Sequence, residues 1–423
     1  MSKEEGNTTW SGQISSYRMV VEGFDWGPAV TALIIDLSEE KVAPSELHKA
    51  DFEVSVLRKN VDSAGITDDE YCENRSVKTA YTSDADGVLV SEASSYITIE
   101  LEVGPYVGNP FFCDETLIAN DWHDVYQHQI NYAGVRFIPK RTGKLMPLAD
   151  LFDTTGKFTG SDGEKLLYAA HIAPSNINET KPLIIWLHGL GDGSLNGTVG
   201  SEIALLGNRV TRLVDDEIQD LMGGAHVLVP QAGTFWMDEK SGEDERQITT
   251  TGYSRYEKVL TELIEDFIAN NRCVDVDRIY ISGCSNGGFM TLRMLMLNPK
   301  LFAGAIPVCH GYHEDWIMDE EVRLIKDIPI WMVHAKNDAI FCYKETAQSL
   351  YDRLVAADSK NVFLTLDECV MDQTGLYVDE KGKAYEYDGH LSWIPLLNND
   401  TKMKIDGKIV HAFEWLSLQK RNL

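Results

Sequence analysis

Long apolar runs are missing from this chain of 423 residues. The longest, such as 183–187 and 303–308, fall far short of the ~18 residues needed to cross a bilayer, so membrane insertion is not expected. Positive charge is scarce. Against 66 Asp and Glu stand 38 Lys and Arg, a net charge of −28. A surface that negative repels nucleic acid and anionic lipid, which removes both as expected partners. Cysteine is sparse: seven residues, with no C-x-x-C pair, so neither a structural zinc site nor a thioredoxin-type redox site is expected. The odd count leaves at least one thiol free in a monomer, and the low density leans towards a reducing compartment. The opening MSKEEGNTTWSGQ has no apolar signal core. That fits a cytoplasmic protein and equally a secreted one whose signal has been removed, so the compartment stays open. Internal repeats and low-complexity segments are absent. The acidic stretch 238–246 (DEKSGEDER) carries no metal-ligand spacing and reads as a solvated loop; no metal site is expected.

What is present is ordinary globular material, 43% hydrophobic and 25% charged. At roughly 100–200 residues per domain, two domains are expected. Residues 1–140 hold short β-rich runs at 17–21, 30–37, 52–58, 96–103 and 135–138, several of them alternating, separated by turn residues and without an amphipathic helix. That pattern predicts a small antiparallel sandwich. The stretch 140–163 reads as a connecting segment. From about Leu166 the pattern changes, and residues 141–423 read as a second domain. Apolar, sharply bounded runs at 183–187, 225–229, 279–282, 303–308, 330–333 and 362–366 have the character of buried parallel strands. Between them, 256–271 sets Val259, Leu260, Leu263, Ile264, Phe267 and Ile268 on one helical face. Alternating βα units predict a doubly wound, mostly parallel sheet, whose ligands bind at the carboxyl ends of the strands.

The central motif is Gly283-Cys284-Ser285-Asn286-Gly287-Gly288, which holds the chain's one G-x-S-x-G. A strand, 279–282 (IYIS), runs into it and a helix-compatible run, 289–297, leaves it. Strand, sharp turn and helix form a nucleophile elbow, in which side chains at Gly283 and Gly287 would clash. A serine hydroxyl needs a base and an orienting acid, and on such a sheet they follow in the order Ser, Asp or Glu, His. Asp338 lies just past the strand 330–333 and is the expected acid, with Asp367 and Asp372 as alternatives. After Asp338 only His390 and His411 remain. His390, in a loop, is the expected base; His411 opens the last helix and reads as structural. His310, His313 and His334 precede the acid and read as pocket or supporting residues.

One oxyanion donor is expected from the backbone N–H of Asn286. The second is expected from the loop His188-Gly189-Leu190-Gly191-Asp192-Gly193, which follows the strand 183–187. Leu190 is the first choice and Gly189 the second; each donor is worth ~3 kcal/mol in the transition state. The same loop does not match the G-x-G-x-x-G of dinucleotide sites. Trp236, His313, Trp316 and Trp393 all follow strand ends on this side, and either bind an acyl or aryl group or belong to the core. About 20 residues separate the strands 303–308 and 330–333, too few for a large lid; the segment 367–389 is available as a wall.

The runs ISGCSNGGFMTLRMLMLNPKLFAGAIPVC, HGLGDG, VHAKND and YDGHLSW resemble the prolyl-oligopeptidase and polyhydroxybutyrate-depolymerase-like branch of the α/β-hydrolases, over roughly 166–423. The N-terminal part, with EGFDWGPAV and its strands, resembles the immunoglobulin-like domain fused to some esterases of that branch. The resemblance implies a serine carboxylesterase with the triad Ser285, Asp338 and His390, needing no metal or organic cofactor. Branch members act on simple, feruloyl-type and polymeric esters or on peptides, so the substrate is expected to be a small-molecule or polymer-linked ester. A serine peptidase is the first rival; the missing propeller repeats count against it. A glycan-binding protein with an inactive hydrolase domain is the second. Monomer and homo-oligomer remain open.

Overall fold

The computed structural model describes residues 13–38, 40–60, 71–114, 119–176, 179–194, 200–240 and 247–421. Most of the acidic stretch 238–246 and nearly all of the N-terminal 13-mer therefore lie outside the described residues. Two compact units divide the chain, Met1–Asp150 and Leu151–Leu423.

The first unit is built on two main sheets. One has five strands in the order Lys140–Leu145, Ser16–Phe24, Gly27–Asp36, Tyr96–Leu101 and Val77–Ser83; the other has four, Val135–Phe137, Val125–Tyr132, Phe52–Lys59 and Tyr71–Arg75. Alternation drives the layering. Tyr17, Met19 and Val21 turn inward from the first sheet, and Val54, Val56 and Ile130 from the second. The phenol of Tyr17 bridges the layers, accepting the backbone N–H of His128 at 3.0 Å. The strand Lys140–Leu145 pairs in parallel with Ser16–Phe24 and so belongs to this sheet. The unit accordingly runs to Asp150 rather than ending at 140. Its polar strand, KRTGKL, lacks the apolar run that marks a strand in sequence.

The second unit is an eight-stranded sheet with helices. Its strands are β1 (Asp153–Thr159), β2 (Lys165–His171), β3 (Lys181–Leu187), β4 (His226–Ala232), β5 (Val274–Cys284), β6 (Gly304–Val308), β7 (Ile330–Ala335) and β8 (Val362–Asp367). They lie in the order β1-β2-β4-β3-β5-β6-β7-β8, parallel from β4 onward, with β2 antiparallel to both β1 and β4. The central strands are apolar throughout because both faces are covered: every residue of β4, β6 and β7 is buried.

The helices are α1 (Glu202–Leu206), α2 (Asp216–Met222), α3 (Glu257–Asn270), α4 (Asn286–Leu297), α5 (Asp319–Ile325), α6 (Ala347–Ala356), α7 (Trp393–Leu397) and α8 (Ala412–Ser417). On α3 the predicted stripe is buried at Val259, Leu260, Leu263, Ile264 and Phe267. Each such side chain contributes about 1.5–3 kcal/mol through burial. No helix of the described residues is long and apolar enough to cross a membrane. This mixed sheet, which follows a mostly-β unit in the chain, is the α/β-hydrolase architecture expected from the sequence.

Candidate active site

Ser285 stands at the sharp turn between β5 and α4 with φ 56° and ψ −113°, a left-handed φ that a serine adopts only under constraint. The constraint is close packing. A Cβ at Gly287 would lie 2.0 Å from the Leu187 carbonyl oxygen, and one at Gly283 2.6 Å from the same atom. The end of β3 therefore presses directly on the elbow, and only glycine fits. The Ser285 N–H donates to the Val308 carbonyl at 2.9 Å, tying the turn to β6.

His390 sits in the loop before α7. Its Nε2 is 2.8 Å from Ser285 Oγ and its Nδ1 2.9 Å from Asp338 Oδ2. The loop is brought in by tight packing, since a Cβ at Gly389 would fall 2.2 Å from Asn337 Oδ1. Asp338 follows β7. Its Oδ1 accepts the N–H groups of Ile340 at 2.8 Å and Phe341 at 3.1 Å. Burial would push its carboxyl up, but hydrogen bonds from His334 and His390, the charge of His390 and the Phe341 N–H together hold it well below the usual carboxylate range. It is a carboxylate at any pH where a histidine can act as base. Facing a carboxylate, His390 Nδ1 must carry a proton, which leaves Nε2 free to accept one from Ser285.

The alternatives are occupied elsewhere. Asp367 ends β8, and burial raises its carboxyl. Asp372 accepts from Thr374, Gly375 and Tyr387. His411 caps α8 and contacts the Asn399 carbonyl.

Asn286 is the first residue of α4, where a backbone N–H has no partner within the helix. Its side-chain Oδ1 accepts the N–H of Trp236 at 2.5 Å and of Met237 at 3.3 Å, anchoring the elbow to the loop after β4. After β3, Leu190–Asp192 forms a short 3₁₀ turn with Gly189 as its cap. The Gly189 N–H points at Asn208 Oδ1, 3.4 Å away, which corrects its candidacy as a donor. Leu190, opening the turn, retains an N–H with no partner inside it. The loop is held by three bonds to the end of β4: Ala232 N–H to His188 Nε2 at 3.0 Å, Ser194 N–H to the Ala232 carbonyl at 2.7 Å, and Gln231 Nε2 to the Asp192 carbonyl at 2.9 Å.

The four aromatic candidates separate. Trp236 is fully buried in the hydrophobic core, against His188 and Tyr256, and offers no surface to a ligand; its assignment to the pocket is corrected. Trp393 lies edge-on to His390, with ring centroids 6.0 Å apart. His313 caps a 3₁₀ turn, Glu314–Trp316, and approaches Asp315 and Glu345, while Trp316 packs on Tyr312 and His313. The segment 367–389 doubles back through the paired strands Val370–Met371 and Glu386–Tyr387, and Asp388 accepts the His390 N–H at 2.8 Å. Two residues gain partners no sequence pattern supplies. Phe341 sets its ring 5.5 Å from that of His390, and His334 reaches Asp338 from behind. The only signal for His334 was its position four residues before the acid.

Residues 16–144 match the family model of the esterase Ig-like N-terminal domain, and residues 169–366 match that of phospholipase/carboxylesterase. No curated protein matches the chain significantly. Among solved structures, a thermostable esterase is 23% identical with a TM-score of 0.72, covering 96% of this chain and 100% of its own. The acylaminoacyl peptidase of Pyrococcus horikoshii is 15% identical with a TM-score of 0.40, covering 70% of this chain and 53% of its own. A ferulic acid esterase is 14% identical with a TM-score of 0.34, covering 51% of this chain and 88% of its own. The resemblance read from the motifs is borne out by the two family models. The chain is a carboxylic ester hydrolase with an α/β-hydrolase domain, whose residues 169–366 match the phospholipase/carboxylesterase model, preceded in sequence by a domain matching the esterase Ig-like model.

Proposed function

We propose that the ester hydrolase works through Ser285 as nucleophile, His390 as general base and Asp338 as the acid that orients it. The observation that carries this reading is the continuous chain from Ser285 Oγ to His390 Nε2 at 2.8 Å and from His390 Nδ1 to Asp338 Oδ2 at 2.9 Å. As Ser285 Oγ bonds to the ester carbonyl carbon, its proton passes to His390 Nε2. The carbonyl oxygen becomes an oxyanion, met by the N–H groups of Asn286 and Leu190. Collapse breaks the bond to the alcohol, which leaves with the proton from His390. Water then repeats the sequence on the acyl-enzyme, releasing the acid and restoring the Ser285 hydroxyl. His390 relays each proton, from Ser285 to the alcohol and then from water back to Ser285, so these steps call on no cofactor. The substrates we assign are short-chain or aryl esters, free or polymer-linked.

The test is hydrolysis of p-nitrophenyl acetate, butyrate and octanoate by wild type and Ser285→Ala, with aminoacyl p-nitroanilides alongside. Ester turnover that falls about 10⁴-fold or more in the variant, with no amide cleavage, is expected. Turnover that survives Ser285→Ala would overturn the nucleophile, and amide cleavage at a comparable rate would make the chain a peptidase.

A further inference from the structure

We propose that His334 is a positioning residue of the triad, acting on His390 through the carboxylate oxygen the two histidines share. The proposal rests on the serine-hydrolase reading above.

Asp338 Oδ2 is 2.9 Å from His390 Nδ1 and 3.0 Å from His334 Nε2, while Oδ1 takes the N–H groups of Ile340 and Phe341. Each oxygen thus has two donors, and rotation of the carboxylate would break bonds on both sides. His334 is fully buried at the end of β7. The second neighbour of its Nε2 is the Phe341 carbonyl at 3.2 Å. Two acceptors around one nitrogen require Nε2 to carry the proton, since a bare nitrogen there would face only lone pairs. Its Nδ1, equally buried, has no hydrogen-bond partner among the described residues. The Nε2 contacts are therefore what orient the ring. The arrangement spends a buried nitrogen on holding one carboxylate oxygen, which packing alone does not explain.

The consequence lies in charge as well as geometry. An N–H from His334 draws electron density from Oδ2, so the bond from Asp338 to His390 is weaker than it would be with one donor. The groups facing Asp338 are His334, His390 and the buried Cys309 thiol at the exit of β6; His310 lies behind, its ring centroid 6.5 Å from that of His334. Removing the His334 N–H frees the carboxylate to turn and concentrates charge on His390. The first effect lowers kcat. The second favours the protonated imidazole, so the acid limb of the rate profile moves to higher pH.

The experiment compares wild type, His334→Phe and His334→Gln on p-nitrophenyl butyrate, with folding checked by circular dichroism. In the Phe variant kcat should fall about 10- to 100-fold, the range for losing one hydrogen bond to a charged group, with KM changed less than about twofold. The acid limb of kcat should shift upward. The Gln variant, whose Nε2 can donate to the same oxygen, should recover most of both. A folded Phe variant with wild-type kcat and an unmoved acid limb overturns the proposal. So do equal losses in both variants with an unmoved limb, the mark of a merely structural residue. If neither variant folds, proton NMR of the wild type decides. Two exchange-protected, far-downfield imidazole N–H signals that both move in Asp338→Asn support shared donation; one such signal overturns it. Wild-type turnover insensitive to Ser285→Ala would instead sink the reading of the site, and the NMR result would stand apart from it.

Discussion

The Nε2 of His188 accepts the backbone N–H of Ala232 at 3.0 Å, joining the carboxyl ends of β3 and β4 beneath the loop that presents Leu190. Its Nδ1 donates to the Gly189 carbonyl at 2.6 Å, which fixes the tautomer. Backbone donors stabilise an oxyanion only when held in place before charge develops. In His188→Phe the packing against Trp236 survives, but the buried Ala232 N–H loses its acceptor. A cost of about 1–3 kcal/mol in stability is expected, with kcat reduced and KM little changed. Urea unfolding and steady-state kinetics on one preparation check both; an unchanged kcat would remove His188 from any part in holding the loop.

A second prediction concerns Gly311, whose N–H donates to the Ser285 carbonyl at 3.3 Å. A Cβ there would fall 2.5 Å from the Phe341 ring, which itself packs against His390. Gly311→Ala must displace Phe341, and through it His390, so kcat should fall. Phe341→Leu relieves the clash. The double variant should therefore recover activity relative to Gly311→Ala alone, a coupling of about 0.5–3 kcal/mol in a double-mutant cycle. Strict additivity would show that the ring does not transmit the strain.

These couplings explain what the sequence disclosed and what it withheld. The elbow was legible because its constraints are local: Gly283, Ser285 and Gly287 are fixed by one strand, one turn and one helix. His390 was legible by elimination, as one of two histidines after Asp338. The strand β1 falls wholly within the stretch 140–163 that reads as connecting, because it is an edge strand, DTTGKFT, with a single large apolar residue and one face exposed. Several strands of the first unit, such as Tyr71–Arg75 and Ala119–Trp122, are equally polar and left no apolar signature. Trp236 stays ambiguous in sequence because an aromatic after a strand looks the same whether it turns into the core or towards a ligand. His334 acquires its role only when β7 and the His390 loop, 52 residues on from Asp338, converge on one oxygen.

The burial of Trp236 is itself testable. A tryptophan with no exposed surface contributes packing, and Trp236→Phe leaves a partial cavity costing about 1–3 kcal/mol. The melting temperature should fall, while the ratio of activities on acetate, butyrate and octanoate esters stays that of the wild type. A changed chain-length profile at unchanged stability would return Trp236 to the pocket.

The buried histidines set the acid limit of the hydrolase domain. Burial pushes His188 down to about 4 and His310 down to about 3. An unfolded histidine titrates near 6.5, so below that pH the unfolded chain binds protons that the native state refuses. Stability from these two residues is complete above about pH 6.5 and is lost as pH falls towards their folded values. Asp338 follows the same sign in a lower window: its depressed folded value adds stability present above the ordinary carboxylate range, and lost only as pH falls further. Between pH 6.5 and 4.5 the histidines therefore dominate, at roughly 2–3 kcal/mol each. Urea unfolding at pH 7.0, 5.5 and 4.5 should show the loss, and His310→Gln should flatten the slope without abolishing it, since burial also lowers His226 and His128. Its Nδ1 accepts the Tyr312 N–H at 3.3 Å, so the variant is expected to be less stable at pH 7 and to converge on wild type in acid. Parallel curves would mean that His310 is protonated in the native state despite its burial.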